Sequence, residues 1–137
     1  MTTALVRGSA KSPSPTPLSP IESLAEALNA ERRLLDALNA VVRRQRAAVA
    51  TDDLDAVSDC VFATHRMLVT LREARSHRQS IGALIGLPGG ADAGTDSLDR
   101  ALGARMTAAI RTARDQLHEA ARSLAREVAA TRRHASA

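Results

Sequence analysis

The sequence predicts an all-α protein: an antiparallel bundle of three long helices with coiled-coil-like packing, preceded by a disordered N-terminal tail. Three observations carry this. From Ile21 through Ile81 there is no Gly and no Pro, and the apolar residues recur at helical spacing. The phase of that apolar stripe slips once, at Thr51-Asp52-Asp53. The 137-residue chain also has no Trp, no Tyr and a single Phe, Phe62. Burial must come from Leu, Val, Ile and Ala, which suit close helix packing in one small domain.

The elements follow in chain order. Residues 1–19 are rich in Ser, Thr and Pro, with the run Ser12-Pro13-Ser14-Pro15-Thr16-Pro17. Such a segment buries little and reads as a disordered or extended spacer. A single helical domain is expected over residues 20–134. Its first helix begins with Ser19 as N-cap, Pro20 in the first turn and Glu22 complementing the positive helix end. Ile21, Leu24, Leu28, Leu35, Leu38, Val42 and Val49 then form a heptad-like seam. Glu31 and Gln45 are the polar residues in that series, either edging it, fixing its register or helping to bind another chain.

A straight continuation would place Asp52, Ala56 and Asp59 on the seam. Leu54, Val57, Val61, Leu68 and Leu71 are instead out of phase with it, by roughly 100–200° around the helix. One continuous helix of about 60 residues would turn its apolar face away from its partner, and no Gly or Pro forbids it. A chain reversal keeps both faces inward, with Thr51 or Asp52 capping a second helix and Asp53 and Asp55 in its first turn. That helix should end near Leu84, because Gly86-Leu87-Pro88-Gly89-Gly90 is a strong stop. A small-residue loop to Gly94 follows. It lacks the Gly-Lys-Ser/Thr ending of a phosphate loop and follows a helix rather than a strand. Asp96 or Ser97 can cap a third helix, whose inner face is Leu98, Leu102, Ala109, Ala113, Leu117, Ala120, Leu124 and Val128. Arg105 falls where an apolar residue is expected, and Gly103 weakens the first turns.

Composition excludes most chemistry. The net charge is +4, but acids and bases interleave and no segment is strongly polarised. The basic clusters Arg32-Arg33, Arg43-Arg44 with Arg46, and Arg132-Arg133 have no aromatic residue interleaved for stacking bases. The Ala-rich third stripe is a poor membrane-surface helix, and no stretch could span a bilayer. Cys60 is the only cysteine, which rules out an internal disulfide and fits a reducing, cytoplasmic setting. Cys60 and His65 do not share a helix face, and His77, His118 and His134 are scattered, so no metal site is expected. Cys60 reads as a small buried hydrophobe. No nucleophile, base and orienting group come together, so no enzyme, cofactor or metal is expected.

Two stretches of the first hairpin carry a family likeness. They are Leu28-Asn29-Ala30-Glu31-Arg32-Arg33-Leu34-Leu35-Asp36-Ala37-Leu38 and Gln45-Arg46-Ala47-Ala48-Val49-Ala50-Thr51-Asp52-Asp53-Leu54-Asp55-Ala56-Val57. Together they resemble the FlgN-type flagellar export chaperones. Glu31, Leu34, Leu35, Gln45, Ala48, Val49, Asp52 and Leu54 occupy the positions of that pattern. Leu71-Arg72-Glu73-Ala74-Arg75 and Ile85-Gly86-Leu87-Pro88 are similar to the family's second-helix end and following loop. The resemblance implies a cytoplasmic chaperone of type III export. Its partners would be the C-terminal amphipathic helices of hook–filament junction proteins, and the export apparatus to which it hands them. A client helix would lay its apolar face into a groove between helices, and Leu117, Ala120, Leu124 and Val128 are the expected client-binding residues. The rival expectation, from another class, is a homo-oligomeric coiled-coil structural or adaptor protein whose third helix packs on copies of itself.

Overall fold

The computed structural model describes residues 17–87 and 98–136, and the side chains among them up to residue 133. The predicted Ser/Pro-rich tail lies outside the described residues up to position 16, as do the loop from Pro88 to Gly94 and the predicted caps Asp96 and Ser97. The described residues are all-α, with four helices rather than three: α1 (Pro20–Ala50), α2 (Leu54–Leu84), α3 (Leu98–Leu102) and α4 (Ala108–Ser136). A 3-10 turn over Gly103–Arg105 separates α3 from α4.

The start of α1 follows the sequence. Ser19 is the N-cap of a complete capping box: the Glu22 backbone N–H donates to Ser19 Oγ at 3.2 Å, and the Ser19 backbone N–H donates to Glu22 Oε1 at 2.9 Å. These bonds to Ser19 hold the Glu22 carboxyl below its ordinary pKa.

The chain reverses at Thr51-Asp52-Asp53 without a glycine. Asp52 takes a left-handed backbone, φ 56°. Its N–H donates to Val49 O, and the Asp53 N–H donates to Ala48 O at 2.9 Å. These two bonds define a Schellman end, with Asp52 where glycine is usual. Asp53, not Thr51 or Asp52, then caps α2, accepting from the Ala56 N–H at 3.1 Å. The same motif ends α2, now with glycine. Gly86 has φ 75°, and the Leu87 N–H donates to Gly82 O at 2.9 Å. Leu87 folds back onto Gly82, where an added Cβ would sit 3.4 Å from Leu87 Cδ1.

The third predicted helix breaks because Gly103 adopts φ 52° and Met106 is extended. The guanidinium of Arg105 turns outward and donates to Ile85 O at 2.8 Å. Thr107 restarts the helix, its Oγ accepting from the Ile110 N–H at 3.1 Å. The break shifts the inward face by one residue. Ile110, fully buried, takes the place predicted for Ala109, which is exposed.

α1 is the spine. It runs antiparallel to α2 and parallel to α4, and each packs along it, whereas α2 and α4 make few close backbone approaches to one another. The main core lies at the end where α1 begins. There Leu24, Leu28 and Leu35 of α1 meet Leu71 and Ile81 of α2, and Leu98, Leu102, Ile110, Ala113 and Leu117 close the base. Toward the Thr51 turn the buried apolar residues thin to Leu38, Val41, Ala48 and Cys60.

The inward face of α2 also differs from the predicted one. Cys60, Leu71 and Ile81 are buried, with Thr64, Met67, Ala74 and Arg78 half-buried between them, a regular alternation of four- and three-residue steps. Leu54, Val61 and Leu68, predicted to face inward, are exposed, as is Val49 on α1. Leu71 alone of the predicted set is fully buried. This helix has two apolar stripes, and the core takes the one that also carries Thr64 and Arg78.

Candidate helix-binding groove

Two polar clasps set how α2 and α4 sit on α1. The first is Glu31, buried within the α1 seam. Arg78 Nε donates to its Oε1 at 2.6 Å, and Arg75 Nε lies 3.5 Å from its Oε2. A buried carboxylate is tolerated only with such partners. Of the readings open for Glu31, the structure selects register: it pins α1 to α2. Gln45, the other polar seam residue, is half-buried.

The second clasp joins α1 to α4. Asn39 Nδ2 donates to Ser123 Oγ at 2.9 Å. Glu127 accepts from Arg43 Nε at 3.0 Å and from the Arg46 guanidinium at 3.1 and 3.2 Å. Hydrogen bonds from Arg46 and then Arg43 hold the Glu127 carboxyl below the ordinary glutamate range. Thr131 Oγ closes the same turn by donating to Glu127 O. On the outer face of α4, Arg126 and Arg122 likewise lower the pKa of Glu119.

With α4 clasped on one side of α1 and α2 on the other, a groove of about 410 Å³ remains between them. Leu35 of α1 forms its floor. Leu124 and Val128 of α4 line it, with Ala121, Ala125 and Ala129 on the same stretch of helix. Arg75 of α2 and Arg132 of α4 lie at its margins. A second hollow among the described residues, on the other side of α4, is lined largely by charged and polar groups, Arg32, Asp36, Gln116 and Glu119 among them.

The four residues expected to bind a client therefore divide. Leu117 and Ala120 are buried in the core, so they support the wall but offer no surface. Leu124 is partly buried against the core and, with Val128, opens into the groove. Sequence reasoning missed Leu35, which it read as seam, and the two arginines. The four-residue steps Ala121, Ala125, Ala129 were a signal available in the sequence: small residues let another helix approach closely.

The groove is lined by aliphatic side chains, with the two arginines as its charged groups. Among the described residues no group of three or more His, Cys, Asp or Glu could hold a metal ion. No described helix is long and apolar enough to cross a membrane. Cys60 is a buried free thiol. The geometry defines an open helical bundle with an apolar, arginine-edged groove. No family model, curated protein or solved structure matched this chain.

Proposed function

We propose that this protein is a helix-binding export chaperone of the FlgN type. Its client is the amphipathic C-terminal helix of a hook–filament junction subunit. The groove floored by Leu35 and lined by Leu124 and Val128 carries this reading. It has room for a few aliphatic side chains from one face of a helix, not for a whole folded domain. Arg75 and Arg132 favour a client with acidic residues beside its apolar stripe. The client's identity rests on the resemblance around the first hairpin. On this reading the protein is not an enzyme and uses no cofactor. It acts in the cytoplasm, keeping the client helix covered until it is handed to the export apparatus.

The test is titration of the purified protein with a junction-protein C-terminal peptide, followed by calorimetry. One-to-one binding with a dissociation constant on the order of micromolar or tighter is expected. Leu124→Asp, which puts a charge into the groove, should weaken it at least about tenfold. No binding by the wild-type protein, or undiminished binding by Leu124→Asp in a folded protein, overturns the assignment.

A further inference from the structure

The residues that bound the groove belong to strips that continue toward the Thr51 turn. On α2, Leu54, Val61, Leu68 and Arg75 follow one another at seven-residue spacing. Residues so spaced run along one flank of a helix packed in a bundle. Arg75 lines the groove, so that flank faces it. The opposite flank carries His77, which opens onto a separate hollow with Ala27 and Ala30 of α1. On α1, Leu35, Val42 and Val49 share the seven-residue spacing, and Leu35 is the groove's floor. Val42 is half-buried, and Val49, Leu54, Val61 and Leu68 are exposed. α2 and α4 both pack along α1 but scarcely on each other. At the base, Leu98 and Leu102 of α3 complete the core. Toward the turn the strips have no such cover among the described residues.

The charges bordering this slot are of one sign. Arg72, four residues from Leu68, stands on the same flank of α2, beside Arg75 and across from Arg132. Arg72 and Arg132 have no ion-pair partner among the described residues. The acids of the two walls point elsewhere. Asp55, Asp59 and Glu73 lie at least about 140° around α2 from Leu68, and Asp115 and Glu119 as far around α4 from Val128. Glu127 is held by Arg43 and Arg46. Residues 1–19 of the chain carry Arg7 and Lys11 and no acid, so like charge argues against them as the occupant.

We infer that the slot takes one amphipathic helix with acidic flanks, which lies over α1 between α2 and α4 as the fourth helix of the bundle. This rests on the helix-binding reading of the groove and adds the length and charge of what binds there. The α1 strip from Leu35 to Val49 is about 21 Å long, and the α2 strip from Arg75 to Leu54 about 31 Å. The occupant therefore spans about four to six helical turns. Its apolar stripe meets Leu35, Val42 and Val49 below and Leu68 and Val61 to one side. Its carboxylates meet Arg72 and Arg75 on one edge and Arg132 on the other.

The test uses two synthetic helices of about 21 residues, unrelated in sequence to junction proteins. They share one heptad-spaced Leu stripe and differ in having Glu or Lys flanks. Each is titrated against the full chain by calorimetry, with circular dichroism checking the fold of every variant. The Glu-flanked helix should bind one-to-one, with a dissociation constant on the order of 10 µM. The Lys-flanked helix should bind at least about tenfold more weakly. Val61→Glu and Arg132→Glu should each weaken the Glu-flanked helix by about tenfold or more. Phe62→Glu, also exposed but turned away from the slot, should leave it unchanged. No binding of the Glu-flanked helix, equal binding of the Lys-flanked one, or indifference to Val61→Glu overturns the inference. If the Glu-flanked helix binds and the junction peptide does not, the inference stands and the FlgN-type reading falls. If junction-peptide binding is lost in Leu124→Asp but ignores Val61→Glu, the FlgN-type reading stands and this inference falls.

Discussion

Glu31→Ala is expected to be among the most damaging single substitutions on α1, and the structure gives the size of the effect. The carboxylate is 4% exposed and the Arg78 side chain 14%. Charges about 4 Å apart attract by about 4 kcal/mol at an effective dielectric of about 20. Removing the carboxylate also removes its own burial cost, so part of that attraction is not lost. The guanidinium of Arg78 is then left between helices without its carboxylate. A net loss of about 3 kcal/mol follows. For a domain of this size that lowers the melting temperature by roughly 10 °C. Arg78→Ala should cost at least as much, because Glu31 is the more buried partner and keeps only the longer contact to Arg75. The paired change Glu31→Leu with Arg78→Leu should recover most of the loss, since a well-packed apolar pair replaces a buried ion pair at little cost. The assay is thermal and urea unfolding of the four proteins. A loss under about 1 kcal/mol for Glu31→Ala, or a double variant as unstable as the sum of the singles, would refute the role of this pair as the clasp between α1 and α2.

Three further outcomes are expected. Asp52→Gly should raise stability in urea unfolding by about 0.5–1 kcal/mol, because a Cβ is strained at φ 56° and glycine is not. Ile110→Ala should lower it by about 2–5 kcal/mol, since this fully buried side chain fills the base between α3 and α4. Glu127 is a carboxylate with a lowered pKa in the folded protein. Its contribution is therefore complete above the ordinary glutamate range and is lost as pH falls through the lowered value. Hydrogen exchange should show the Ser123–Thr131 turns of α4 opening earlier in acid than the Ile110–Leu117 turns, and Glu127→Gln should remove that difference.

Some of this architecture was legible in the residues themselves. The Ser19 cap and the stop at Gly86 follow from local backbone chemistry, which does not depend on what lies across the core, whereas the reversal near Thr51 was read from the slip in phase of the apolar stripe, and its cap, Asp53, was not the one expected. The inward face of α2 was not legible. Periodicity reports that a stripe exists, and α2 has two, so the run Leu54, Val61 and Leu68 gave the wrong side. The buried stripe contains Thr64, Ala74 and Arg78, and Arg78 belongs there only because Glu31 waits on the facing helix. That pairing, 47 residues apart, has no local signal. The division of α4 was similarly hidden. Leu117, Ala120, Leu124 and Val128 share one periodicity, yet the first two are buried in the core while Leu124 and Val128 line the groove. Gly103 and Arg105 marked the weak start of the third helix. The phase shift that brings Ile110 inward depends on the extended backbone at Met106.

The parallel course of α1 and α4 sets an order of events in folding. Two helices that point the same way cannot be joined by a tight turn. The bonds from Asn39 to Ser123 and from Arg43 to Glu127 each close a loop across 84 positions of the chain. The α1–α2 hairpin instead zips from a three-residue reversal, and its contacts need far less loop closure. The hairpin should therefore form first and α4 dock last. The groove exists only once that docking is complete, since Leu35 comes from the early unit and Leu124 and Val128 from the late one. In a stopped-flow refolding experiment the ability to capture a client peptide should lag behind the first rise of helical signal.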